Sequence, residues 1–234
     1  MNIKAKNSNY SIGAFILLSL FVVIFFPAII ILLSGNLLWI EGWILSIWFD
    51  AMMFGNMVYM YKKNPVLFSE RLKSHSNQEN WDKSLLTSLF VLSAFWLTGM
   101  PLDAQMFSLS PPFPLIIKII GAGLLIPAFY LLIRATIDNP YLSTVVRIQS
   151  DRQQKVISTG VYGIVRHPQY LGILMLIIGG PLLLGSIFSL IIGFCIMLII
   201  IFRIIGEEKT LVKDLEGYLE YKQKVKYRLL PFIW

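Results

Sequence analysis

Cysteine and histidine are nearly absent from this chain. One cysteine, Cys195, and two histidines, His75 and His167, stand among 234 residues. A lone cysteine excludes an internal disulfide, and the three residues together are too few for a zinc cluster, so no metal is expected. Charge is scarce as well: 14% of residues are charged, where soluble domains carry roughly a quarter. With 56% hydrophobic residues and a mean hydropathy of +0.71, a water-soluble globular chain is excluded. Acidic side chains are the scarcer sign, 13 against 20 lysines and arginines, for a net charge of +7. Such an excess can serve nucleic-acid binding, but the placement of the charges argues against that.

Long apolar runs are what the chain has in quantity. Runs near 20 residues cross a bilayer core of about 30 Å as helices. Six spans are read, at about 11–33, 38–61, 84–100, 113–133, 170–186 and 187–206. The first is longer than a signal-peptide core and no A-x-A-like site closes it, so it is expected to be retained. Gly185-Ser186 marks a tight turn between the last two spans, and Gly179-Gly180-Pro181 is expected to kink the fifth. Lys4, Lys6, Lys62, Lys63, Arg71, Lys73, Lys83, Arg134, Arg147, Arg152, Lys155 and Arg166 fall at the N-terminus or in the second and fourth loops. Arg203, Lys209, Lys213, Lys222, Lys224, Lys226 and Arg228 fall towards the tail, and Lys118 alone lies towards the other side. Six spans put every basic cluster on one face, which the positive-inside rule makes cytoplasmic, together with both termini. The positive charge is therefore topological, and no nucleic-acid partner is expected.

The expected fold is an all-α integral membrane protein, multi-pass, with about six transmembrane helices, a cytoplasmic segment and a C-terminal amphipathic helix. Residues 1–133 form the N-terminal membrane half and 134–234 the region that carries the chemistry, within one integrated membrane domain. Trp39, Trp43 and Trp48 are expected as interfacial anchors. Residues 62–83 read as a connector with a short helix after Pro65. Residues 134–169 are long for a loop, carry an Asn139-Pro140 turn signal and a β-like stretch over 143–148, and hold enough apolar and aromatic residues to be ordered. Leu211, Leu215, Tyr218 and Leu219 recur at helical spacing, predicting an amphipathic surface helix over 207–226 despite Gly217.

Two polar clusters interrupt the apolar pattern. In GVYGIVRHPQYLG, residues 160–172, Pro168 suits the first turn of a helix, with His167 at or just before its cap. Arg166 adds charge, and Tyr162 and Tyr170 add flat surfaces suited to a purine ring. Taken alone, this reads as an ordinary snorkelling helix end at the interface rather than a site. In IIIFRIIGEEKTL, residues 199–211, Arg203 and Glu207 are four apart and share a helix face. The tight hairpin between the last two spans forces the two clusters together at the bilayer boundary, where ionisable residues mark candidate functional sites.

The motifs G-V-Y-x-x-V-R-H-P-x-Y-x-G (160–172), R-x-x-x-E-E (203–208) and Y-x-x-Y-x-x-x-V-x-x-R-L-L-P (218–231) together resemble the isoprenylcysteine carboxyl methyltransferase family. The resemblance covers roughly residues 134–234 and implies an integral-membrane methyltransferase that uses S-adenosylmethionine. It further implies a cofactor site built from Arg147, Gln154, Lys155, Val156, Ile157, Tyr162, His167, Pro168, Gln169, Tyr170 and Glu207. Arg203 is implied as the catalytic residue beside the carboxylate of a lipophilic acceptor, which it can orient by a bidentate contact. Two departures bear on the acceptor. Gln154 stands where the enzymes acting on prenylated proteins often have histidine, and the acidic run after Arg203 is shorter.

Methyl transfer to a carboxylate suits such a site on chemical grounds. The acceptor is already electron-rich and needs positioning and desolvation rather than a general base. Three alternatives stay open. Sterol-reductase-like NADPH enzymes resemble R-H-P-x-Y-x-G, but an acidic residue tends to follow that glycine, where Ile173 stands here. A phospholipid N-methyltransferase differs only in its amine acceptor, which Arg203 would repel. A transporter or scaffold would carry polar residues at the middle of several spans, where here only Asp50 lies well inside one.

Overall fold

The computed structural model describes residues 12–73 and 78–234, all helix and irregular connections, with no strand among them. Lys4, Lys6 and His75 lie outside the described residues. Six long helices coincide with the six predicted spans: α1 (Ile12–Ser34), α2 (Ile40–Lys63), α4 (Asn80–Pro101), α5 (Leu115–Asp138), α6 (Pro168–Leu184) and α7 (Ile187–Asp214). Two short helices, α3 (Pro65–Leu72) and α8 (Tyr218–Lys224), complete the set. The α1, α4, α5 and α7 helices are long and apolar enough to cross a membrane. The α6 helix, at 17 residues, is roughly 26 Å long at 1.5 Å per residue. The α2 helix is long enough, but Glu41 and Asp50 make it less apolar. Outward apolar side chains such as Phe90, 78% exposed, and Ile126, 72% exposed, have no protein to pack against, which suits lipid contact.

Local chemistry explains the helix ends. Asn64 accepts a hydrogen bond from the Leu67 N–H at 3.1 Å, and Pro65 occupies the first turn of α3, where its missing N–H costs nothing. The α6–α7 turn uses Gly185 at φ +83°, a left-handed conformation that favours glycine. Ser186 then caps α7 by accepting from the Ser189 N–H. Asp103, in a π-helical turn after α4 (Leu102–Met106), ties this hairpin down by accepting from Ser110 Oγ, Ser186 Oγ and the Phe188 N–H.

One core runs through both halves of the chain, with Phe26, Leu45, Trp96, Met100, Leu125, Ile177 and Ile200 among its members. Helices α5 and α6 form its closest pair. A Cβ added at Gly121 would lie 2.5 Å from the Leu183 nitrogen and 2.7 Å from the Gly179 carbonyl oxygen. The glycines therefore let backbone touch backbone, as small residues do at membrane helix crossings. Gly121→Val is expected to lower the unfolding midpoint in detergent, at a cost of about 1–3 kcal/mol for overpacking. Gly123→Ala, which faces open space, should leave it unchanged; equal midpoints for both would remove the role given to the crossing.

Pro181 lies inside α6 and has no N–H for the carbonyl of Ile177, one turn earlier. The Trp96 indole N–H donates to that oxygen at 3.1 Å, so the freed acceptor is satisfied from α4.

Three expectations are corrected. The stretch 143–148 is irregular rather than strand-like, because its polar groups bond to side chains and to α4 instead of to a neighbouring strand. The amphipathic helix over 207–226 is two helices: α7 continues to Asp214, and Gly217 at φ +80° separates it from α8. Of the three tryptophans, only Trp43 is exposed; Trp39 is buried in the core, and the Trp48 indole donates to the Leu125 carbonyl.

Candidate active site

The segment 139–167 is ordered by its own polar groups. The Asn139 side chain accepts from the Tyr141 N–H, and the Asp138 carboxylate accepts from the Val161 N–H at 2.9 Å while pairing with Arg134. Buried Gln149 donates to the Tyr141 carbonyl and accepts from Arg152, and the Gln149 N–H donates to the Gln154 side chain. The buried Arg147 guanidinium bridges Glu70 at 2.9 Å and Asp151 at 3.0 Å. Burial acts to raise the Glu70 carboxyl, but the cations of Lys73 and Arg147 outweigh it and hold the group below its ordinary range.

His167 is the cap residue of α6 and Pro168 its first helical residue. The backbone N–H groups of Arg166 and His167 donate to the carbonyls of Tyr227 and Arg228, drawing the C-terminal tail across the motif. Glu208, a residue the sequence reading passed over for Glu207, locks this arrangement. One carboxylate oxygen accepts from Arg166 Nε at 2.6 Å and lies 3.3 Å from His167 Nε2; the other accepts from Arg228 Nε at 2.9 Å. Glu207, next along α7, faces the other way and accepts from the Tyr170 hydroxyl at 2.8 Å. The Arg203 guanidinium sits 5.8 Å from the Tyr170 ring centroid, so the two clusters do meet.

These elements line an open cavity of about 110 Å³. Arg147, Gln154, Lys155, Val156, Ile157, Tyr162, His167, Gln169, Tyr170, Arg203 and Glu207 all line it. Pro168 does not; it is fully buried and acts by starting α6. The remaining wall includes Tyr141, Leu142, Val145, Leu211, Tyr218 and Tyr221. Burial pushes the hydroxyls of Tyr162, Tyr218 and Tyr221 above their ordinary value, so they stay neutral; Tyr221 donates to the Tyr162 carbonyl at 2.7 Å.

Arg203 departs from its expected role in one respect. Its Nε donates to Asp82 Oδ1 at 2.7 Å, and its Nη2 lies 3.4 Å from Asp82 Oδ2 and donates to the Thr144 carbonyl at 2.8 Å. With both of those nitrogens occupied, a bidentate grip on an acceptor carboxylate is closed off, and Nη1 is the nitrogen left over. Asp82, which has no exposed surface, could not be found from the sequence: nothing near it signals a partner in α7.

Over part of its length the chain is similar to known methyltransferases. A family model described as phospholipid methyltransferase matches residues 116–216. Over 94 residues, 39% of this chain, the sequence is 40% identical to protein-S-isoprenylcysteine O-methyltransferase of Saccharomyces cerevisiae. The match spans 38% of that relative's length. A solved structure described as the eukaryotic intramembrane Ras methyltransferase, isoprenylcysteine carboxyl methyltransferase, aligns over 96% of this chain and 90% of its own, at 18% identity and a TM-score of 0.46. The 94-residue match agrees with the resemblance read from the three motifs: that stretch of the chain is similar to an isoprenylcysteine methyltransferase.

Proposed function

We propose that this protein is an S-adenosylmethionine-dependent methyltransferase of the membrane that esterifies the carboxylate of a lipophilic acceptor, such as a prenylcysteine. The observation that carries the reading is the cavity, into which α6, α7 and the 139–167 segment bring all but one of the implied site residues. The donor set fits the cofactor. Val156, Ile157, Tyr162 and Tyr218 offer apolar and aromatic surface for adenine, Gln169 offers an amide, and Glu207 offers a carboxylate to a cationic centre. Exposed Lys155 is available to the cofactor's carboxylate. Arg147 shapes the wall, its charge already shared between Glu70 and Asp151.

When bound, S-adenosylmethionine supplies an electrophilic methyl group on a sulfonium. The chain's part is to hold the acceptor carboxylate in line through Arg203 Nη1, keep Glu207 turned inward through Tyr170, and exclude water with the tail and α8. Positioning of this kind supplies much of a displacement rate. We place the site face and both termini on the cytoplasmic side, where the basic residues gather, so that a soluble cofactor enters from water and a lipidic acceptor from the bilayer.

Titration of the detergent-purified protein by calorimetry is expected to show binding of S-adenosylmethionine and none of NADPH. Binding of NADPH alone would overturn the reading in favour of a reductase. With a methyl-labelled cofactor and N-acetyl-S-farnesylcysteine, the label is expected to be released by mild base, as from a methyl ester. Base-stable label transferred only to host lipid would instead identify an amine acceptor, the reading to which the phospholipid methyltransferase match lends support.

A further inference from the structure

Asp82 sits in the first turn of α4, far in sequence from every motif, yet it touches two walls of the cavity at once. Its Oδ1 receives Arg203 Nε, and its Oδ2 accepts from the Val146 N–H at 2.8 Å and from Gln78 Nε2 at 3.0 Å. The Glu79 N–H donates back to the Val146 carbonyl. Arg203 closes the circuit by donating to Thr144 in the same segment. A fully buried carboxylate is costly unless paired and hydrogen-bonded; here, apart from the bond from Gln78, its contacts hold Arg203 and the Val146 backbone.

We propose that Asp82 is a positioning residue for methyl transfer: it grips the Nε and Nη2 side of Arg203 so that only Nη1 faces the acceptor carboxylate. The inference rests on the acceptor role proposed above for Arg203. A guanidinium has five N–H donors in a fixed plane, so fixing one edge fixes the direction of the rest. The arrangement also weakens ground-state attraction, because a neighbouring anion offsets the cation that the acceptor meets. Asp82 therefore exchanges acceptor affinity for acceptor alignment. A residue that merely held the fold would not produce that exchange.

The test combines equilibrium binding with turnover. In Asp82→Asn, calorimetry should show N-acetyl-S-farnesylcysteine binding as tightly as in the unaltered protein or more tightly. The kcat for its methylation should fall about 100-fold, the scale of an ångström-level misplacement. Chemical rescue gives a second measure. Guanidinium added to Arg203→Ala should restore turnover with a saturable dependence, since Asp82 and the Thr144 carbonyl form its socket. It should restore none in the Asp82→Asn/Arg203→Ala double variant. Equal rescue of both proteins would overturn the proposal, as would Asp82→Asn with unchanged kcat. Weaker acceptor or cofactor binding in Asp82→Asn would overturn it too, by showing that Asp82 supports the fold rather than aims the arginine. Full activity in Arg203→Ala would remove the acceptor role of Arg203 itself, and an unaltered protein that binds no S-adenosylmethionine would remove the methyltransferase reading.

Discussion

Replacing Glu208 with alanine is expected to be the most destabilising single change near the site, by about 3–5 kcal/mol, the usual cost of removing one partner from a buried ion pair. The carboxylate is 4% exposed and serves Arg166, His167 and Arg228 together. Arg166 is itself buried and would keep only the carbonyls of Val225 and Lys226. Its cation would then lack a counter-charge while almost wholly buried. The tail should loosen as well, since Arg228 joins Glu208 to the terminal Trp234, whose ring lies 4.9 Å from that guanidinium. Thermal unfolding in detergent checks the first effect and limited proteolysis around Lys226 the second. Glu208→Gln, which keeps the shape and loses the charge, should fall between alanine and the native residue. A native midpoint with a protected tail in Glu208→Ala would show that the backbone bonds from Arg166 and His167 hold the tail unaided.

The largest effect on binding is expected from Glu207→Gln. Glu207 is half-buried, lines the cavity and is held inward by one hydrogen bond from Tyr170. Loss of a charged hydrogen-bond partner costs about 1.5–3 kcal/mol, so affinity for S-adenosylmethionine should fall about 10- to 100-fold with little change in the unfolding midpoint. Tyr170→Phe removes only the hydroxyl that steers the carboxylate and should cost less than tenfold, roughly a neutral hydrogen bond. The order of the two is what calorimetry must decide. If Tyr170→Phe weakened binding more than Glu207→Gln, the glutamate would be an anchor for the tyrosine and not a contact for the cofactor.

The helices were legible because lipid imposes a length and a polarity on any segment that crosses it. Hydropathy located α1, α5, α6 and α7 to within a few residues at most ends, and glycine with serine located the turn at Gly185. The meeting of Tyr170 with Glu207 was legible too, since a hairpin with no loop leaves two helix ends nowhere else to go. Hydropathy could not see where α7 stops. The helix runs on to Asp214 because polar residues that leave the apolar run can still be helical, and only Gly217 interrupts the pattern. Nor does a pattern along one strand of sequence reveal a partner supplied by another helix. Asp82 looks like any acidic residue at a helix start, and Glu208 like the second half of a surface pair. Their roles come from the packing of α4 on α7 and of the tail on α6, which a single sequence does not encode in any local signal. The β-like composition at 143–148 misled for a related reason: β-branched residues suit an extended chain, whether or not another strand is there to pair with it.

The Ile177 carbonyl makes two residues from different helices dependent on one another's history. While Pro181 is present, a side chain without an N–H at position 96 leaves that oxygen stranded among apolar atoms, where no water can reach it. Once position 181 regains an N–H, the indole is a second donor rather than a necessity, because a carbonyl oxygen accepts two bonds. Change can therefore enter this pair by one door only, through the proline first and the tryptophan afterwards. The core between α4 and α6 thus carries an order of permissible substitution, set by a single missing hydrogen.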